Sequence, residues 1–184
     1  MEDLTVIILA GGKSSRMGED KGLMTLFGKP MVEYVIDNAK EVSEDIIIVS
    51  NNNNYKKFGF PVIKDKFPDK GPLGGIYTGL LNSNSETNII LSCDIPYIKS
   101  GLIKFLFYQS DGYDITIPIH QERIHPLIGI YKKNCVKTFE KNLQIGQLKV
   151  TKAFGDLITN IVEADEFDEI EFKNLNSKLD IPPL

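Results

Sequence analysis

Two stretches of this chain, Ile46-Ile47-Ile48-Val49 and Ile89-Ile90-Leu91, are apolar at every position. A strand with one face in water alternates apolar and polar residues, so unbroken runs of this kind need cover on both faces. That requirement points to a mainly parallel sheet between two layers of helices. Elsewhere, short apolar runs alternate with segments of helical periodicity, the pattern of an α/β chain. Strands are predicted at 5–9, 46–50, 61–64, 88–92, 115–120, 127–131 and 158–162. Helices are predicted at 30–42, 72–82, 99–110, 133–142 and 149–155. Pro30 suits the first position of its helix, and Met31, Val32, Val35, Ile36 and Ala39 give that helix one apolar face. The expected fold is a Rossmann-like three-layer α/β/α domain with a mostly parallel central sheet.

A length of 184 residues with 42% hydrophobic content fits one domain over 1–184. The apolar runs are too short for a membrane-spanning helix. Glu2 and Asp3 stand where a secretory signal carries lysines, so no signal peptide is predicted and the expected setting is the cytoplasm. A net charge of −4 argues against a general nucleic-acid binder. Cys93 and Cys135 have no metal-type spacing and form no zinc pattern with the two histidines. Both are expected as free thiols, Cys93 serving as a small apolar residue at the end of a buried strand.

In open parallel sheets, ligands bind outside the carboxyl ends of the strands. The first predicted strand runs into Leu9-Ala10-Gly11-Gly12-Lys13-Ser14-Ser15-Arg16-Met17-Gly18 and then Asp20-Lys21-Gly22. Glycines let backbone N–H groups approach phosphate oxygens, and Lys13, Arg16 and Lys21 add positive charge. The loop has neither Walker A nor G-x-G-x-x-G spacing, so a nucleotide site of another type is expected. Ser50 to Asn52, Asp65 and Asp94 also follow predicted strands and should gather on the same edge. Each has a plainer alternative. Asp94 could cap a helix near Ile98, Lys21 and Arg16 could be solvated, and Asp65 and Asn51–Asn54 could simply form turns. The Gly71-Pro72-Leu73-Gly74-Gly75 run could be a purely structural helix start. The acidic stretch 165–171 reads as a solvated loop.

The Leu-Ala-Gly-Gly, Arg-Met-Gly and Lys-Gly elements of the opening loop resemble nucleotidyltransferases that cap a phosphorylated acceptor with a nucleotide. Within that group the chain is most similar to the molybdenum cofactor guanylyltransferases. Val62-Ile63-Lys64-Asp65, Gly71-Pro72-Leu73-Gly74-Gly75, Cys93-Asp94-Ile95-Pro96-Tyr97 and His125-Pro126-Leu127 agree in order and spacing. Phe172-Lys173-Asn174-Leu175-Asn176 is a weaker fifth match. The resemblance implies GMP transfer from GTP to the terminal phosphate of molybdopterin cofactor, with release of pyrophosphate. It implies Mg²⁺, with Mn²⁺ as an alternative, held by Asp94. It assigns catalysis to Arg16, Lys21 and Asp94. Nucleotide binding falls to Leu9, Ala10, Gly11, Gly12, Lys21, Ser50, Asp65, Gly71, Leu73 and Asp94. Acceptor binding falls to Arg123, His125, Asn174 and Asn176. Family members place an asparagine after the second strand, where this chain has Ser50 followed by Asn51 and Asn52. Proteins that deliver or receive the cofactor are the implied macromolecular partners, with no nucleic acid and no membrane.

Two alternatives stay open on the residues alone. A cytidylyltransferase, or another enzyme with a phosphate acceptor, would use the same loop and metal anchor, because base reading through backbone groups separates GTP from CTP poorly. A nucleotide-binding module without catalysis would keep the loop but would not need Asp94 and the cations together.

Overall fold

In the computed structural model the described residues are 3–11, 20–176 and 180. In chain order the elements begin with β1 (Leu4–Leu9), the short strands β2 (Thr25–Leu26) and β3 (Lys29–Pro30), α1 (Met31–Lys40), β4 (Ile46–Val49) and β5 (Val62–Ile63). They continue with α2 (Gly71–Asn82), β6 (Thr87–Ser92), α3 (Ser100–Tyr108), β7 (Ile115–His120), β8 (Arg123–Ile124), β9 (Ile128–Lys132), α4 (Cys135–Gln144) and β10 (Thr159–Glu163). Single 3₁₀ turns lie at Lys21–Leu23, Val150–Lys152 and Glu169–Phe172, and a longer one at Asn53–Phe58.

The main sheet has the order β10-β7-β9-β6-β1-β4-β5, with β8 paired to β7. β1 is parallel to both β4 and β6, β4 to β5, and β10 to β7. β9 runs antiparallel to β6 and β7. The mixed, mostly parallel α/β/α architecture is the one the apolar runs require. Val6, Ile8, Ile46, Ile48, Ile89 and Leu91 pack on α1 and α3. The residues between them, Ile7, Leu9, Ile47, Val49 and Ile90, pack on α2 and α4. Strict alternation of side chains thus fills two cores from one set of strands.

Three expectations are corrected. The helix predicted at 149–155 is one 3₁₀ turn, Val150–Lys152, ended by Ala153 and followed by Gly155 at φ +55°. Pro30 precedes its helix instead of opening it. Its ψ of 142° is extended, and it ends β3 as the N-cap of α1. The acidic stretch is not simply solvated. Asp168 caps the 169–172 turn by accepting from the Ile170 N–H, and Glu171 is buried. The polar turn expected at Asn51–Asn54 is present, with the Asn52 side chain capping the 53–58 turn through the Asn54 N–H.

Candidate active site

The parallel register places Leu9 beside both Val49 and Ser92, so the chain leaves β1, β4 and β6 at one edge of the sheet. β9 runs the other way, and its approach from His125 to Leu127 reaches the same edge, where the Ser92 N–H donates to the Leu127 carbonyl at 3.2 Å. The convergence expected for residues after the strands is therefore present, with the His-Pro-Leu segment added to it.

Asp94 is the centre of this edge. It is only 7% exposed. Its Oδ1 accepts from Ser92 Oγ at 2.5 Å and from Asn174 Nδ2 at 3.2 Å. Its Oδ2 faces the Lys21 ammonium at 3.8 Å. Lys21 Nζ in turn donates to Asn176 Oδ1 at 2.6 Å. The backbone closes the same circuit, because the Leu175 N–H donates to the Asp94 carbonyl at 2.8 Å. Asp94 does not cap α3, whose N-cap is Lys99. The structure thus joins Lys21, Asp94, Asn174 and Asn176, which come from three distant parts of the chain.

The segment 174–176 is held in place from behind. Glu171 Oε2 accepts from the Lys99 N–H at 3.1 Å, and its Oε1 lies 3.7 Å from Lys99 Nζ. Phe172 is packed between two imidazoles, with centroids at 4.4 Å for stacked His120 and 4.9 Å for His125. His120, Arg123, His125, Lys173, Asn174 and Asn176 line a cavity of about 560 Å³ that opens beside the Lys21–Asp94 pair. Burial, and then the charge of Arg123 and the proximity of His120, push His125 down to about 4. At neutral pH His125 is therefore an uncharged hydrogen-bonding group, and the charged groups lining this cavity are Arg123 and Lys173 together with Asp168 and Glu169.

On the other side of Asp94 the expected nucleotide residues are more tightly engaged. The Leu9 carbonyl accepts from the Cys93 N–H, and the Ala10 N–H donates to the Val49 carbonyl. Gly11 is the first exposed residue after them. Ser50 is buried, and its Oγ accepts from the Asn52 N–H. Asp65 Oδ1 accepts from the Phe67 N–H at 2.9 Å and from Thr78 Oγ1 at 3.1 Å, tying the turn after β5 to α2. Gly71 opens α2 at φ +66°, while the Leu73 side chain is buried in the core. Gly74 lets this helix approach the turn closely, since a Cβ there would stand 2.8 Å from the Phe67 carbonyl. Gly12, Lys13 and Arg16 lie outside the described residues.

Sequence reasoning missed several parts of this site. Asp20 accepts from Tyr55 Oη at 2.5 Å and from Asn52 Nδ2 at 3.0 Å. Burial, with Cys93 and Asp20 beside it, raises the Tyr55 phenol above its ordinary value and keeps it a donor. Burial also holds the Cys93 thiol protonated, with Asp94 adding to the effect. Lys173 lines the cavity beside the two predicted asparagines. The only sequence signal for it was its place inside Phe172–Asn176.

A divalent cation can be tested against these donors. Among the described residues no cluster of three or more His, Cys, Asp or Glu could cage a metal. A single buried carboxylate, oriented by Ser92 and Asn174, suits Mg²⁺, which keeps several waters and shares its shell with substrate phosphates. The residues present therefore fit a cation that arrives with a nucleotide.

Comparisons with known proteins give the family. Residues 6–156 match the family described as MobA-like NTP transferase domain. A "Probable molybdenum cofactor guanylyltransferase" of Flavobacterium johnsoniae is 37% identical over 178 residues, covering 96% of this chain and 94% of that one. A molybdenum cofactor guanylyltransferase of Desulfosudis oleivorans is 31% identical over 186 residues, covering 97% and 92%. Among solved structures, a protein of Aquifex aeolicus VF5 superposes with a TM-score of 0.81 at 30% identity, covering 95% of this chain and 94% of that one. Matched by that family model over residues 6–156 and by relatives 31–37% identical over nearly all of its length, the chain belongs to the MobA-like NTP transferase domain family, among the molybdenum cofactor guanylyltransferases.

Proposed function

We propose that this protein transfers GMP from GTP to the terminal phosphate of molybdopterin cofactor and releases pyrophosphate. The observation that carries this reading is the Lys21–Asp94 pair at 3.8 Å, set between the glycine-rich strand exit and a cavity with its own cations. Two polyanions can meet there only if their charge is offset, and Lys21 on one side with Arg123 and Lys173 on the other can do so, Asp168 being committed to capping the 169–172 turn and Glu169 sharing the cavity wall. An acceptor phosphate oxygen attacks the α-phosphorus of GTP. The new P–O bond forms as the bond to pyrophosphate breaks, and no covalent intermediate with the protein is needed.

Lys21 exchanges Asn176 Oδ1 for a phosphate oxygen and stabilises charge that builds up on the transferring and leaving groups. Asp94, oriented by Ser92 and Asn174, is the residue that would hold Mg²⁺, with Mn²⁺ as the alternative. When bound, the cation supplies Lewis-acid charge to the phosphate oxygens. Arg123 and Lys173 orient the acceptor phosphate by charge, while neutral His125 contributes only a hydrogen bond. Ser50 and Asp65 act on the nucleotide by shaping the turns around it. Arg16 belongs to the same proposal as a planar fork for phosphate.

A cytoplasmic setting is part of the proposal, supported by two buried cysteines that are both unpaired. No helix among the described residues is long and apolar enough to cross a membrane.

The test is to incubate the protein with Mg²⁺, molybdopterin cofactor and either GTP or CTP, and to measure pyrophosphate and the dinucleotide product. GTP-dependent formation of the guanine dinucleotide is expected. Product formed only from CTP would reassign the base. Nucleotide binding with no pyrophosphate release would favour the non-catalytic module.

A further inference from the structure

Lys21 can face Asp94 only if the chain segment that carries it is held still, and a lysine side chain has considerable rotamer freedom to lose. The segment is held from below by residues that no part of the reaction uses directly. Asp20, immediately before Lys21, has both carboxylate oxygens engaged. Tyr55 Oη donates to Oδ1 at 2.5 Å and Asn52 Nδ2 donates to Oδ2 at 3.0 Å. Gly22, immediately after Lys21, is pressed into the same spot. A Cβ there would stand 3.0 Å from Cys93 Sγ and closer still to the Tyr55 hydroxyl. Cys93 in turn precedes Asp94. The two neighbours of Lys21 and the residue before Asp94 thus meet around one buried phenol, which is 0% exposed.

Resting on the guanylyl-transfer reading, we propose that Tyr55 and Asn52 are positioning residues for that reaction, acting through Asp20 to hold Lys21 in line with Asp94. Tyr55 belongs to the 53–58 turn that follows β4, and Asn52 caps that turn. Their amide and phenol reach across to the loop after β1, so the second crossover of the sheet steadies the first. Charge-assisted hydrogen bonds of this type are strong enough to matter for one side chain's alignment.

The test is Tyr55→Phe, which keeps the buried ring and removes only the hydroxyl. Tyr77→Phe is the control, because it removes a similar phenol–carboxylate bond, to Glu140, between α2 and α4. Expected for Tyr55→Phe is a kcat lower by about tenfold, an acceptor KM within about twofold of wild type and a Tm matching that of the control. Tyr77→Phe should leave kcat unchanged. Asn52→Asp, which keeps the capping oxygen but turns an acceptor toward Asp20, should lower kcat in the same way if Tyr55→Phe fails to fold. A second readout is independent of activity. In protein with ¹³C-dimethylated lysines, the Lys21 methyl resonance should be displaced from those of exposed lysines in wild type and return to them in Tyr55→Phe. An unchanged kcat in both variants, or a Lys21 resonance insensitive to the substitution, would overturn the clamp. If wild type makes no guanine dinucleotide, the functional reading fails by itself, and the Lys21 resonance still decides the clamp.

Discussion

The side-chain amide of Asn174 donates to Oδ1 of Asp94 at 3.2 Å, across 80 positions of sequence. Together with the Leu175 N–H on the Asp94 carbonyl, it makes a strand-end aspartate and a C-terminal strap into one unit. The strap also lines the cavity beside the site, so the acceptor and nucleotide sides share a wall.

Removing either charged partner should cost chemistry before it costs folding. Lys21→Ala and Asp94→Asn are each expected to lower kcat by about 10²–10³, by analogy with loss of one donor to a developing oxyanion. Steady-state pyrophosphate release measures this, with circular dichroism melting as the control. Retention of full turnover by both variants would displace the reaction from this pair.

Asn174 should act on the geometry of Asp94. Asn174→Ala is expected to lower kcat by about tenfold, the scale of one hydrogen bond to a charged group. Asn174→Asp should be worse at neutral pH, because it sets a second carboxylate against the first. If Asn174→Asp proved the more active of the two, orientation by hydrogen bonding would be the wrong account.

Gly22 has no space for a side chain. Gly22→Ala should destabilise the fold by about 1–3 kcal/mol, the usual cost of overpacking a filled site. Urea unfolding reads this directly. A variant as stable as wild type would mean that the Tyr55–Cys93 spot yields more easily than its packing implies.

His125 predicts an acid-side loss of stability. Its folded value, lowered to about 4, lies below the ordinary histidine value near 6.5. Between these two values the unfolded chain binds more protons than the folded one. Stability therefore rises with pH across that window and falls as pH drops from about 6.5 toward 4. Denaturant titrations of wild type and His125→Asn at several pH values should show a shallower slope for the variant in this range. Equal slopes would mean that another group governs the acid limb.

What the sequence by itself determined is the class of the fold and the edge on which chemistry gathers. Apolar runs such as Ile46–Val49 report burial on both faces, and that constraint is local in the chain. Asp94 was legible as a strand-end carboxylate for the same reason, since the end of its strand is readable from its own residues. The tertiary structure alone decided which polar groups answer one another. Nothing near Asp20 in sequence announces Tyr55 or Asn52, and nothing near Glu171 announces Lys99. Asp65 was legible both as a polar residue at a strand end and as a turn former, whereas Ser50 was legible only as the former and its acceptance from the Asn52 N–H was not. The helix expected at 149–155 failed because apolar spacing does not reveal where a turn stops propagating. Hydrogen-bond partners at large separation are chosen by how the layers pack, and packing depends on every core side chain at once.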